Sequence, residues 1–173
     1  MTAPQPGMSA EFAAGLREVM LQGLAREMET TKKVLAAIPE SQRNYRPDPR
    51  ARTAWELAWH LAVCDVQMTD EVADLKFEME PRFKEEPTSI ADLVNWYDAQ
   101  FRRAIGRVQA MSPEQLTTPV DFYGVFNLPV VFYLTFVNNH SIHHRGYLAA
   151  YLRAMGAKVP AIYGGSADEP WQG

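Results

Sequence analysis

An all-α fold, a four-helix bundle, is what the sequence predicts, and three observations predict it. Four long stretches repeat apolar residues every three or four positions, the spacing that gathers them on one side of a helix. No stretch sustains the alternation of a strand. Segments rich in proline, glycine or charge separate the four. A chain of 173 residues can bury one sizeable core. The expected bounds are a disordered leader at 1–8, the bundle at 9–164 and an irregular tail at 165–173.

Ser9 is a suitable N-cap for the first helix, with Glu11 near its positive end. Phe12, Leu16, Met20, Leu24 and Met28 recur every fourth residue, and Val19, Leu35 and Ile38 widen the stripe up to the stop at Pro39. Such a methionine-rich stripe reads as bundle core. Pro47 and Pro49 then hold an extended or turning loop. Thr53 opens the second helix with Glu56 at its third position, a capping-box pattern. Trp55, Leu57, Ala58, Trp59, Leu61, Ala62, Val63, Val66 and Met68 make that helix apolar on several sides, which places it in the interior.

Residues 75–88 carry mixed charge and two prolines, and read as a long crossover loop with room for one helical turn. Thr88 or Ser89 caps a third helix running to about Met111. Leu93, Trp96, Phe101, Ile105 and Val108 face inward there, and Arg102, Arg103 and Arg107 outward. Ser112-Pro113 restarts a short turn. Residues 117–128 are aromatic around Gly124 and suit a short hairpin or an extended flap. The fourth helix is expected from about Leu128-Pro129 to Gly156, a C-cap glycine followed by Pro160.

Composition excludes several classes. The net charge is −4 and no lysine- or arginine-rich run occurs, so nucleic acid has no electrostatic footprint to meet. A single cysteine, Cys64, rules out an internal disulfide and a cysteine-rich zinc site. No apolar run approaches the ~20 residues of a membrane helix, and the N-terminal residues lack the pattern of a signal peptide. A cytoplasmic protein without a membrane partner is the expectation. Phosphate-binding loops, nucleophile elbows and nucleotide fingerprints are absent.

Chemistry gathers in the histidines. Three of the four lie in Asn138-Asn139-His140-Ser141-Ile142-His143-His144-Arg145. His140 and His144, four apart on a helix, stack on one side and can share a divalent cation. His60 sits in the middle of the apolar second helix. If the fold brings it to the other two, the result is a mononuclear three-histidine site with an open position. Three neutral imidazoles suit Zn²⁺, Ni²⁺ or Fe²⁺ alike. The Glu-x-x-His carboxylates of di-iron bundles are missing. His143, about 100° round the helix from His144, suits a supporting or surface place. Asp65 can orient a histidine from behind or form a surface salt bridge. Cys64 is a possible fourth ligand or a small buried hydrophobe. Arg145 is a charge partner or an anion clamp.

The run His140-Ser141-Ile142-His143-His144-Arg145-Gly146-Tyr147-Leu148, then Tyr151-Leu152-Arg153 and Gly156-Ala157-Lys158-Val159-Pro160, resembles the DinB-like family of metal-binding four-helix bundles. Tyr45-Arg46-Pro47, Thr53, Glu56-Leu57 and His60 strengthen the likeness. Tyr147 stands where the family often has Gln. The resemblance implies a metal on His60, His140 and His144, and a homodimer packed bundle against bundle. It also implies a small-molecule substrate and transfer to a low-molecular-weight thiol that the metal holds as thiolate. Trp55, Trp59, Phe122 and Tyr123 would then line an apolar pocket for the electrophile. Hydrolysis by metal-bound water, with Asp65 or Glu56 as base, is the competing expectation. A non-catalytic stress-response bundle or a structural metal is the third.

Overall fold

The structure, a computed structural model, describes residues 8–171. Helix α1 spans Ala10–Ala36, α2 Ala54–Asp74, α3 Ile90–Gln109 and α5 Tyr133–Ala154, with a single-turn α4 at Pro113–Leu116. Strands β1 (Pro119–Phe122) and β2 (Phe126–Pro129) pair antiparallel, with Phe122 opposite Phe126. The four long helices form the expected bundle. α1 packs on α3 and α5, and α2 packs on the same two, so α1 and α2 lie across a diagonal. No helix among the described residues is long and apolar enough to cross a membrane.

Local chemistry sets the helix ends. Ser9 accepts the Phe12 amide, and Thr53 and Glu56 complete the capping box of α2. α5 ends in a Schellman motif. Gly156 takes a φ of 69°, its amide bonds Arg153, and the Ala157 amide bonds the Leu152 carbonyl. α2 ends the same way with Leu75 at a φ of 57°, an uncommon place for a side-chain-bearing residue.

Several expectations change. Phe12 and Val19 are 61% and 67% exposed, whereas Leu24 and Met28 are buried. A strict four-residue repeat turns about 40° per step, so a stripe buried at Met28 has rotated to the far side at Phe12. Arg103 and Arg107 do not simply face out. Their guanidiniums fold back on Asp70, which is 3% exposed, at 2.9 and 2.7 Å, latching α3 to α2. The crossover holds no helical turn and is pinned by Phe77, whose ring meets Phe122 and Tyr133 at 5.0 and 4.7 Å. Residues 119–129 form the hairpin rather than a flap. Its pairing keeps Phe126–Pro129 extended, so α5 starts later than expected, after a short 3₁₀ turn at Val130–Phe132.

The leader expected at 1–8 falls outside the described residues except for Met8, which packs against the core. The tail is irregular as far as it is described, but it is fastened. Asp168 accepts the Val159 amide and pairs with Arg153, and Glu169 accepts the Ala161 amide.

Candidate metal centre

His60 comes from the middle of α2, and His140 and His144 come from one side of α5, the helix beside it. Ring centroids lie 5.1 Å apart for His60 and His140, 4.6 Å for His60 and His144, and 4.4 Å for His140 and His144. The structure thus gathers the three predicted histidines in one cluster. His60 Nε2 faces His140 Nε2 at 3.3 Å. Two nitrogens bound at about 2.05 Å to a tetrahedral zinc stand roughly 3.3 Å apart, so this pair has the spacing of two ligands of one ion. His144 Nδ1 is buried without a hydrogen-bond partner, an orphaned donor atom within the cluster.

Asp65 lies one turn beyond His60 on α2 and is completely buried, which removes the surface salt bridge as its role. Its Oδ1 accepts from His140 Nδ1 at 3.0 Å, and its Oδ2 accepts from the Tyr97 hydroxyl at 3.0 Å. Burial holds its carboxyl above the ordinary range, and contacts from His140, Ser141 and Tyr97 offset only part of that rise. With the proton of His140 on Nδ1, its Nε2 lone pair is left pointing at His60. Tyr97 on α3, missed in the sequence as a functional residue, backs this arrangement. Thr31 on α1 and Ser141 on α5 lie 3.3 Å apart in the same buried polar layer, so every long helix contributes to it.

Burial lowers the pKa of His60 to about 4, assisted by Arg52 and His140. It lowers His144 to about 3, assisted by His140 and His60. Both rings are neutral at physiological pH, the state that binds metal.

Cys64 Sγ stands 3.4 Å from His60 Nδ1. A stricter grouping, with every donor atom within 4.8 Å of the others, contains His60, Cys64 and His140 but not His144. Two donor sets therefore share His60 and His140. Burial, with Asp65 nearby, pushes the Cys64 thiol up to about 11. Cys64 is thus a protonated thiol beside His60 Nδ1, its sulfur placed as an alternative donor.

A cleft of about 400 Å³ opens beside His60 and Cys64, with Trp59, Glu71, Phe122 and Tyr123 in its walls. A hollow of about 630 Å³ under the crossover, between Arg82 and Trp96, contains no histidine. Three of the four aromatic residues expected around the site therefore reach it. Trp55 does not. Its indole donates to Glu86 at 2.8 Å, and Arg43 lies over its ring. Glu56 stands at the rim, but its carboxylate is held by the Thr53 amide and Arg46, and the Thr53 bond lowers its pKa. His143 is exposed, its ring against His144 and Tyr147 at 4.9 Å each. Arg145 is buried away from the histidines. It binds Glu27 at 2.5 Å, Thr31 and the Tyr163 hydroxyl, a clamp between α5, α1 and the tail rather than an anion site.

The model of the DinB superfamily matches residues 24–148. A Bacillus subtilis protein described as uncharacterized, YrdA, is 27% identical over 149 residues, covering 84% of this chain and 86% of its own. A DinB-like protein from Bacillus cereus, known from a crystal structure, is 28% identical with a TM-score of 0.72. The match covers 84% of this chain and 97% of that one. A second crystal structure, of the DinB-like protein YjoA from Bacillus subtilis, shares the fold. Its TM-score is 0.68 at 21% identity, over 83% and 96% of the two chains.

Proposed function

The chain belongs to the DinB superfamily, and from that premise we propose a divalent-metal protein whose His60, His140 and His144 hold one ion, acting as a transferase on a low-molecular-weight thiol. The observation that carries the metal assignment is the His60–His140 pair at ligand spacing, backed by Asp65 and joined by the orphaned His144. A bound divalent ion supplies Lewis acidity that keeps a thiol sulfur as the nucleophilic thiolate at neutral pH.

The chain's own groups do the rest. Asp65 fixes the His140 tautomer and the direction of its Nε2. Burial keeps His60 and His144 unprotonated. Trp59, Phe122 and Tyr123 cover the cleft beside His60, where an apolar electrophile would be shielded from water. The hydrolytic alternative finds less support. Of its two candidate bases, Glu56 is tied into a helix cap and Asp65 is spent on His140 and Tyr97. The homodimer belongs to this reading, and light scattering on the purified chain measures it.

The test is elemental analysis of untagged protein beside a His60→Ala, His144→Ala double variant. About one ion per chain in the parent, lost in the variant, is expected. Turnover of 1-chloro-2,4-dinitrobenzene that requires both the ion and an added thiol then supports transfer. Turnover of esters without thiol supports hydrolysis instead. Metal-free parent and variant alike would remove the metal reading altogether.

A further inference from the structure

His60, Cys64, Gln67 and Glu71 follow one another at helical spacing along the side of α2 that lines the cleft. Glu71 closes this row three turns from His60, roughly 16 Å along the helix axis. Its side chain is fully buried. Oε1 is well supplied, accepting from Gln67 Nε2 at 2.9 Å and the Glu78 amide at 3.2 Å, with Arg82 Nε 4.0 Å away. Oε2 is buried and has no hydrogen-bond partner. An acceptor left bare in a protein interior is destabilising, and such an exception calls for a reason.

The rest of the cleft says what the partner is. Among its lining residues there is no lysine or arginine. The other two lining glutamates are occupied, Glu56 by Arg46 and Glu78 by Lys76 at 2.6 Å. Arg82 is shared among Asp74, Glu78 and Glu71 Oε1, and none of these contacts reaches Oε2. One aromatic ring, Tyr123, is tied to the carboxyl end, and the others stand further along the cleft wall. Trp59 and Phe83 pack on Trp96 at 4.8 and 5.1 Å, and Tyr123 donates to the Glu78 carbonyl. One bare carboxyl oxygen in a cleft walled by aromatic rings, without a cation among the lining residues, is the chemistry that recognises an ammonium group.

We propose that the cleft takes a substrate bearing a protonated amine, with the ammonium bound by Glu71 Oε2 beside Tyr123 and the reacting end directed to the histidines. The proposal rests on the thiol-transfer reading for the reaction, but not for the binding.

The test is therefore made on chelator-treated, metal-free protein, with tryptophan fluorescence as the signal. Phenethylamine, 2-phenylethanol and 3-phenylpropanoate are titrated as cationic, neutral and anionic probes. The amine is expected to bind about tenfold or more tighter than the alcohol, and the carboxylate weakest. Glu71→Gln, nearly isosteric, brings the amine down to the level of the alcohol. Glu71→Asp, which keeps the charge on a shorter arm, retains part of the preference and serves if the first variant does not fold. Equal binding of amine and alcohol, tighter binding of the carboxylate, or a preference that survives Glu71→Gln overturns the proposal. Metal content, measured separately, decides the histidine reading, so the two can fail independently.

Discussion

Replacing Asp65 by Asn removes a charge while keeping the shape, and the surroundings dictate the consequences. The carboxylate accepts two bonds of 3.0 Å, from His140 Nδ1 and the Tyr97 hydroxyl, in a site with no exposure to solvent. An amide offers one acceptor and one donor group. With its NH₂ toward Tyr97, whose oxygen can accept, every buried group keeps a partner and only the basicity of His140 falls. With its NH₂ toward His140, the imidazole proton must move to Nε2, the nitrogen that faces His60, and a ligand is lost. Groups that support a metal-bound histidine in this way typically contribute 10–100-fold in affinity, or about 1.4–2.8 kcal/mol. The fold should change by no more than about 1 kcal/mol, or roughly 2–4 °C in melting temperature for a chain of this size. Competition with a chromogenic zinc chelator measures the first quantity, and thermal melts of metal-free protein measure the second. Zinc affinity within twofold of the parent, in a variant that melts normally, would refute the supporting role of Asp65.

Cys64→Ser should keep the metal within threefold of parental affinity while His144→Ala loses it, and the reverse result in the chelator assay would give the third ligand to Cys64. Asp70→Ala strands Arg103 and Arg107 at the α2–α3 contact and should cost about 1–3 kcal/mol in urea unfolding. The metal-free protein should lose stability as pH falls from about 6.5 toward 3. Below the ordinary imidazole value of 6.5 the unfolded chain takes up protons that His60 and His144 accept in the fold only near pH 4 and 3. Urea midpoints across pH 4–7 check this, and the His60→Ala, His144→Ala variant should lack that part of the slope.

The architecture was legible because it rests on local signals. Ser9, Thr53 with Glu56, and Gly156 each act within a turn of chain, and the structure uses all of them as caps. Errors came where a distant segment intervenes. Leu128-Pro129 reads as the start of a helix until β1 pairs with it. Arg103 and Arg107 read as solvent-facing until Asp70, some 33 residues earlier, draws them back. The drift of a four-residue repeat that exposes Phe12 is the exception. That follows from helix geometry alone and was available in the sequence.

The candidate site divides along the same line. His140 and His144 announce themselves by a spacing that one helix satisfies, whereas His60 needed the resemblance or the fold to join them. Tyr97 carried no signal, because a tyrosine among the apolar residues of α3 looks like core until Asp65 is seen against it. Glu71 did carry one. It stands eleven residues from His60, three turns along the same helical side, the side that carries His60 and Cys64. An acidic residue on the buried side of a helix is expensive unless something pairs with it. Asp65, Asp70 and Glu71 all sit on α2 in that condition. Asp65 is answered by His140 and Tyr97, and Asp70 by two arginines. Glu71 alone keeps an oxygen unanswered within the protein. That imbalance is what turns a structural helix into one wall of a binding cleft, with a metal-ligand histidine proposed at one end and a selective carboxyl at the other.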